Sequence, residues 1–464
     1  VTQPAAMSPL RRRLELIALV ARLIDQQPDL APRTSLYDLT DSLANLMDEI
    51  QGEGVSPQTI FDLDVMDDSG HWQRAQSFIR IAHEYLAETS TAPDKEARQR
   101  AMVMALAARW EATPPSNPVI VAGSTGSRGT TMLLMEAVAR LPQGALVLPG
   151  FDFDMPTRAW LDLKDPMISE DHPQYRFVKL LDRLGLARSN VDVWHDAQVP
   201  SQPRNALISL SLRPAPVTDA WLVEGPKLRN LGEGLQNVTL LEAPSPRSEA
   251  LAIAMRLRQA AEDGQKAALI SPDRMLTRQV TAALDQWGIL PDDSAGTPLH
   301  LSPPGRFLRH VAQLFQHRLD AEALLTLLKH PLTHSGVDRG PHVLNTQRLE
   351  LKIRRDGLPY PDAPGLGAVM QKVVSEIEAQ AEVDRWTSWV CDSLTDKTRS
   401  DAPALKDWVD AHIALAEALS AGPETAGSGE LWQKKAGQEA RKCMQKLRDV
   451  ADYGGAMSAA DYAN

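Results

Sequence analysis

The segment from Gly123 to Thr131 is rich in the residue types that bind phosphate. It reads Gly-Ser-Thr-Gly-Ser-Arg-Gly-Thr-Thr and stands between an apolar run and an amphipathic stretch. Amides at the start of a helix attract anions, and glycines let a backbone approach them closely. A phosphate loop that binds ATP also needs a lysine after the Gly-x-x-x-x-Gly spacing, and this segment contains none. The sequence therefore predicts a nucleotide-type turn without the chemistry for ATP.

Two aspartates follow the next apolar run. Asp152 and Asp154 stand where a carboxylate pair can hold Mg²⁺ at the end of a strand. Pro149 and Gly150 break the strand before either carboxylate, and aspartates commonly order turns through their own backbone. We therefore favour turn-forming aspartates and predict no metal site and no catalytic residue.

Composition limits the class of protein. The chain has 464 residues, 43% of them hydrophobic and 23% charged, and a net charge of −11. These values are typical of a globular protein with two to four domains. The acidic total argues against a wholly basic nucleic-acid domain but leaves room for a local basic groove. No apolar run reaches the roughly 18 residues that span a membrane, and the two cysteines favour a reducing cytoplasm.

The hydrophobic periodicity changes along the chain. Residues 8–111 and those beyond about 304 have helical spacing throughout. Between them, short apolar runs alternate with amphipathic helices, which predicts parallel sheets with crossover helices. The predicted strands are Val119–Ala122, Ala145–Leu148, Val191–Trp194, Val238–Pro244 and Ala267–Ser271. The predicted fold class is α/β, with a helical subdomain at 1–115, α/β units at 116–235 and 236–303, and a truncated helical insertion at 304–464.

Several stretches together resemble the AddB-type subunit of bacterial AddAB helicase–nucleases, particularly the alphaproteobacterial form. They are Pro118–Ser127 with its follow-on Leu141–Asp152, His172–Gly185, Leu212–Trp221, Trp287–Leu299 and Leu324–Leu332. The resemblance covers about residues 8–335 and is specific only in combination. It implies a superfamily-1 helicase-like fold with two RecA-like units and inserted helical subdomains. It also implies a central fragment, which lacks the N-terminal motor strand and the C-terminal nuclease domain.

The resemblance further implies a function in double-strand-break repair. An inactivated helicase-like segment would channel one DNA strand, single or at a duplex end, and scan it during resection for recombination. An AddA-type helicase–nuclease subunit would be its partner and would supply ATP-driven translocation. The segment itself would need no cofactor and no membrane. Two alternatives stay open: a partner-docking scaffold that does not contact DNA, and a degenerate ATP-binding helicase domain.

The same resemblance suggests which residues contact DNA. In the loop they are Ser124, Thr125, Ser127 and Arg128. In a later helix they are Arg274 and Arg278, near the position where active relatives carry a nucleotide-sensing arginine. Five further basic residues lie close together in sequence, and a solvated helix face is the favoured explanation for them: Arg306, Arg309, His310, His317 and Arg318.

Overall fold

The computed structural model describes residues 4–28, 31–62, 79–80, 93–194, 199–374 and 380–464. The chain forms two compact units. Unit 1 comprises Val1–Ser8 and Asp38–Trp287, and unit 2 comprises Pro9–Tyr37 and Gly288–Asn464. The boundary near residue 288 lies inside the stretch predicted as a second α/β unit. The segment Pro9–Tyr37 belongs with the C-terminal helices, a long-range association that local sequence patterns do not reveal.

Helices dominate both units. Those up to residue 287 are α1 (Pro9–Gln26), α2 (Leu36–Glu53), α3 (Pro57–Phe61), α4 (Lys95–Ala112), α5 (Gly129–Ala139), α6 (Thr157–Asp162), α7 (Pro166–Ser169), α8 (Tyr175–Leu184), α9 (Gln202–Ser211), α10 (Ala220–Glu224), α11 (Leu231–Gly234), α12 (Pro246–Glu262) and α13 (Arg274–Asp285). Those after it are α14 (Pro303–Gln316), α15 (Ala321–Lys329), α16 (Gly340–Asp356), α17 (Ala363–Val374), α18 (Gln380–Leu394), α19 (Leu405–Ala421), α20 (Lys434–Asp449) and α21 (Ala459–Ala463).

One small parallel sheet lies in unit 1. Strand β1 (Val119–Ala122) pairs with β2 (Gly144–Val147), and Val119 is opposite Gly144. Helix α5 makes the crossover between the strands, as two of the predicted strands and their intervening helix required. Gly144 permits the tight return, because a Cβ there would stand 1.8 Å from the Val138 carbonyl oxygen. These two strands and their crossover helix confirm that part of the prediction.

The predicted fold class is wrong. The chain is 62% helical and its described residues contain two strands in one sheet, not two parallel-sheet units. Among the residues that the structure describes, the runs at 191–194, 238–244 and 267–271 have no strand partner. Most of their apolar residues are exposed, with Leu240 at 85% and Ile270 at 94%, although Val191 packs partly against a core cluster. A short apolar run becomes a strand only when a neighbour pairs with its backbone, which periodicity alone does not reveal.

The sheet is covered on one face. Helices α5 and α8 supply a cluster of Met132, Met135 and Leu180, and the partly buried Val121 and Leu146 pack against it. On the opposite face Ile120 is 56% exposed. Parallel sheets usually carry helices on both faces. The sheet of unit 1 therefore has an uncovered apolar face.

Unit 2 has a continuous helical core. Helices α14 to α20 bury Leu324, Leu349, Val409 and Leu419 at 0% exposure, and Leu14 of α1 joins the same cluster. A neighbouring aromatic cluster stacks the rings of Trp408 and Tyr462 at 5.4 Å. The helical prediction beyond residue 304 is confirmed by these elements. None of the described helices of the chain is both long and apolar enough to cross a membrane.

Candidate functional site

The glycine-rich loop follows β1 and leads into α5, as its sequence predicted. Gly123 and Gly126 have φ values of 75° and 68°, a left-handed conformation that favours glycine. The Ser124 hydroxyl oxygen accepts a hydrogen bond from the Gly126 amide at 3.3 Å. Thr125 and Ser127 are exposed. The loop therefore presents two hydroxyl groups to solvent and holds its shape through two glycines and one serine.

A carboxylate of the chain itself lies at the start of α5. Glu53, the last residue of α2, accepts a hydrogen bond through Oε1 from the Gly129 amide at 2.8 Å. Its Oε2 is 4.0 Å from the Lys179 ammonium. Beside it, the Thr130 hydroxyl donates to the Gly52 carbonyl at 3.3 Å. The amide that would bind a phosphate is thus already engaged by a negative group.

This arrangement does not fit a nucleotide. A phosphate at the Gly129 amide would meet the Glu53 carboxylate, and the loop has no lysine to neutralise it. Arg128 makes an ion pair with Glu96 of α4 at 3.7 Å, although its side chain is 72% exposed. The degenerate ATP-binding alternative therefore has no phosphate site among these residues. Arg128 can still reach solvent.

The turn prediction for the first aspartate is confirmed. Asp152 Oδ1 accepts hydrogen bonds from the amides of Asp154 and Met155 at 2.9 Å and 3.0 Å. The Asp154 carboxylate accepts from the Gln202 side-chain amide at 3.1 Å. Among the residues that the structure describes, no group of three or more His, Cys, Asp or Glu side chains could hold a metal ion.

Two side chains that the sequence analysis missed fix the same loop. Gln174 is 6% exposed; its Oε1 accepts from the Asp152 amide at 3.0 Å, and its Nε2 donates to the Gly150 carbonyl at 2.8 Å. The Arg188 guanidinium donates to the carbonyls of Asp152, Phe153 and Met155. Gln174 lies 22 residues after Asp152 and Arg188 lies 36 residues after it, so no local pattern could have shown their function.

A cavity of about 1040 Å³ lies between β2, this loop and the helices α8 and α9. Apolar side chains form much of its wall, among them Leu180, Leu184 and Ile208. Its polar groups include Asn190, Gln202 and three aspartates. Clefts beyond the carboxyl ends of parallel strands are common binding sites. The cavity is therefore the main candidate site of unit 1.

The histidine of this cavity has no free nitrogen. His172 Nε2 donates to the Leu212 carbonyl at 2.7 Å, and its Nδ1 accepts from the Gln174 amide at 3.0 Å. Burial lowers the pKa of His172, against a smaller opposing effect of the Leu212 hydrogen bond. The ring is neutral and fully hydrogen-bonded. It positions the chain and is poorly placed to act as a base.

The other predicted contacts lie on another helix. Arg274 and Arg278 are on the first turns of α13, which packs against α12. Arg278 is exposed, and its guanidinium is 4.0 Å from the Met275 sulfur. Asp273 caps the helix by accepting from the Met275 amide at 2.7 Å. Arg278 is therefore accessible to a ligand, and Arg274 lies one turn before it on the same helix face.

Unit 2 has a group of basic side chains on α14 and beside it. Arg306 and Arg309 are exposed, and neither forms an ion pair with any residue that the structure describes. His310 lies on the same face, since residues three and four apart are neighbours on a helix. Arg339 is nearby; it donates to the His330 carbonyl at 2.7 Å. We call Arg306, Arg309, His310 and Arg339 the cationic face.

The protonation of His330 reflects this concentration of charge. Burial lowers the pKa of His330 to about 4, and repulsion from His310, Arg339 and Arg306 adds to the effect. No carboxylate compensates it among the residues that act on the ring. A surface with several cations and no paired acid attracts anions. These basic residues are visible in the sequence, but only the structure shows that no described carboxylate pairs with Arg306 or Arg309.

No protein-family model matches the chain, and no curated protein matches it at a significant level of similarity.

Proposed function

We propose that this protein binds DNA as a non-catalytic part of an AddB-type subunit in the processing of double-strand breaks. The main support for DNA binding is the cationic face. Its exposed guanidinium groups on α14 have no described carboxylate partner, so they can bind the negatively charged phosphates of DNA. The sequence resemblance supplies the biological setting. In that setting the segment guides one strand, scans it, and works in the cytoplasm beside an AddA-type motor subunit.

The two parts of the proposal have different support. DNA binding is supported by the charge and exposure of α14, and the Arg318 guanidinium adds a cation 4.7 Å above the Tyr360 ring. Ser124, Thr125, Ser127, Arg128, Arg274 and Arg278 remain candidate contacts in unit 1. The AddA-type partner and the repair function are supported by the resemblance alone.

Fluorescence anisotropy of labelled single-stranded DNA across a salt series tests DNA binding. The double variant Arg306→Gln/Arg309→Gln should weaken binding at about 50 mM salt. Its salt dependence should fall by about 1.4 in slope, because each lost phosphate contact on a single strand removes about 0.7. A duplex with a single-stranded end should show the same loss.

The matched control removes one exposed arginine that is already paired. Arg354 forms an ion pair with Glu350 at 2.8 Å on α16. Arg354→Gln should change affinity and slope much less than either single variant, Arg306→Gln or Arg309→Gln. The proposal is overturned if wild-type protein fails to bind at low salt, or if the double variant and the control bind alike.

A further inference from the structure

The outer edge of β2 exposes unpaired backbone groups. The Val119 amide donates to the Gln143 carbonyl at 3.0 Å, and the Gly123 amide donates to the Val147 carbonyl at 3.1 Å. Alternation along a parallel ladder therefore directs the amide and carbonyl of Leu146 away from β1. No described residue forms a hydrogen bond with either group. Such an edge is a template for another strand.

The candidate cavity runs along this edge. All of β2 lines it, and so does the extended segment 191–194, where Val193 is 64% exposed and Trp194 is 73% exposed. Its volume of about 1040 Å³ is at the upper limit for small-molecule pockets. The four residues of β2 span about 13 Å, the length of a short extended peptide. The shape of the cavity and the hydrogen-bonding groups along it both suit a peptide.

The charge of the cavity selects against nucleic acid. Its described lining residues include Asp152, Asp154 and Asp192 but no lysine or arginine. Phosphates would be repelled there, whereas a basic side chain beside an added strand would be attracted. The apolar wall formed by Leu184, Leu186 and Leu212 suits the alternate side chains of such a strand.

We propose that this cavity binds an extended peptide of a partner protein, which adds a strand to the outer edge of β2. The peptide has apolar side chains at alternate positions and a basic residue beside the aspartates. Its backbone pairs with the amide and carbonyl of Leu146. This site is separate from the cationic face and does not depend on DNA binding.

Selection of binders tests the proposal. A displayed library of random 12-residue peptides is selected on the full chain, and the enriched peptides are synthesised with a fluorescent label. We expect the enriched peptides to have apolar residues at alternate positions together with a lysine or arginine. Leu146→Pro should weaken their binding about tenfold or more, because proline removes the outward amide. The β1–β2 ladder does not use that amide.

Two controls separate loss of the edge from loss of the fold. Leu146→Ala removes the same side chain but keeps the amide, so its affinity should stay much closer to wild type. N-methylation of alternate peptide amides should abolish binding in one register and leave it intact in the other, without altering the protein.

Four results would overturn the proposal. They are failure to select peptides, equal binding to wild type and Leu146→Pro, displacement of the peptide by single-stranded DNA, and a dimer of this chain that Leu146→Pro dissociates. The last result would assign the edge to a second copy of the chain.

Discussion

At the scale of single residues, the contact between α2 and the glycine-rich loop decides what the loop can do. Glu53 accepts a hydrogen bond from the Gly129 amide at the start of α5, and the missing side chain of Gly129 permits the close approach of α2. A Cβ on Gly129 would stand 2.6 Å from the Gly52 carbonyl oxygen. The loop glycines thus serve packing and a carboxylate cap instead of a nucleotide.

Replacing Glu53 should uncover the contribution of this cap. Glu53→Ala should lower the free energy of unfolding by about 1 kcal/mol, because a helix-terminal amide loses its acceptor. Glu53→Gln keeps an acceptor oxygen and should cost less than half as much. Urea unfolding followed by circular dichroism measures both. Equal losses for the two variants would assign the effect to charge and not to the hydrogen bond.

Gly129→Ala should destabilise unit 1 by about 1–3 kcal/mol, since the added methyl group overpacks against α2. Gly52→Ala is the matched control on the other side of the same contact. Its Cβ would have no heavy atom within 4 Å, so alanine should be tolerated or slightly stabilising in the helix. Thermal unfolding of both variants measures the difference. Similar melting temperatures would contradict the close packing.

At the scale of elements, the sheet of unit 1 has two unequal faces. Val121 packs against the cluster of α5 and α8, whereas Ile120 points to the uncovered face. The sequence of β1 is apolar on both faces, a pattern typical of strands that are buried on both sides. The position of the helices, and not the strand sequence, decides which face is buried.

A pair of threonine substitutions measures this asymmetry. Val121→Thr should cost about 1–2 kcal/mol, because it places a hydroxyl in the cluster. Ile120→Thr should change the free energy of unfolding by less than about 0.5 kcal/mol, as exposed substitutions usually do. Urea titrations at the same pH provide both values. An equal cost at the two positions would show that another group covers Ile120 in solution.

At the scale of the whole molecule, unit 2 contains buried titratable groups that should make its stability depend on pH. Unit 2 buries two neutral histidines whose ring nitrogens are both hydrogen-bonded. His342 donates to the Leu328 carbonyl at 2.7 Å and accepts from Trp386 at 3.0 Å. His412 donates to the Leu308 carbonyl and accepts from the Tyr462 hydroxyl, both at 2.8 Å. Burial lowers the pKa of each to about 4.

Unit 2 should consequently be sensitive to acid. The unfolded chain binds a proton at each histidine near its ordinary pKa of 6.5, whereas the folded chain does so only near pH 4. The contribution of each ring to the free energy of unfolding is therefore fully present above pH 6.5. It should fall as the pH drops from 6.5 towards 4, by about 3 kcal/mol for each ring. Near-ultraviolet circular dichroism during urea unfolding at several pH values follows the loss.

His412→Gln isolates one of these groups. Glutamine can still donate to Leu308 and accept from Tyr462, but it does not titrate. The slope of the free energy of unfolding against pH, between pH 6 and pH 4.5, should fall by about 1.4 kcal/mol per pH unit. This change corresponds to the uptake of one proton. An unchanged slope would mean that His412 is not the neutral, buried group described above.

The sequence by itself determined the helical segments beyond residue 304, the β1–α5–β2 crossover and the turn at Asp152. These depend on local signals: hydrophobic spacing, glycines and capping side chains. It also showed that the glycine-rich loop lacks a lysine. Each of these features involves residues close in sequence, whose mutual geometry is limited by the backbone.

Tertiary structure alone decided the rest. Apolar runs such as 238–244 resemble strands in sequence, but a strand needs a partner, and no residue in the described part of the chain pairs with their backbone. Glu53 lies 76 residues before Gly129, and Gln174 lies 22 residues after Asp152. Whether an arginine is paired, a sheet face covered or a strand edge open depends on which distant segments meet. Local periodicity does not predict these long-range contacts, because the packing of the whole unit determines which side chains are buried and which are paired.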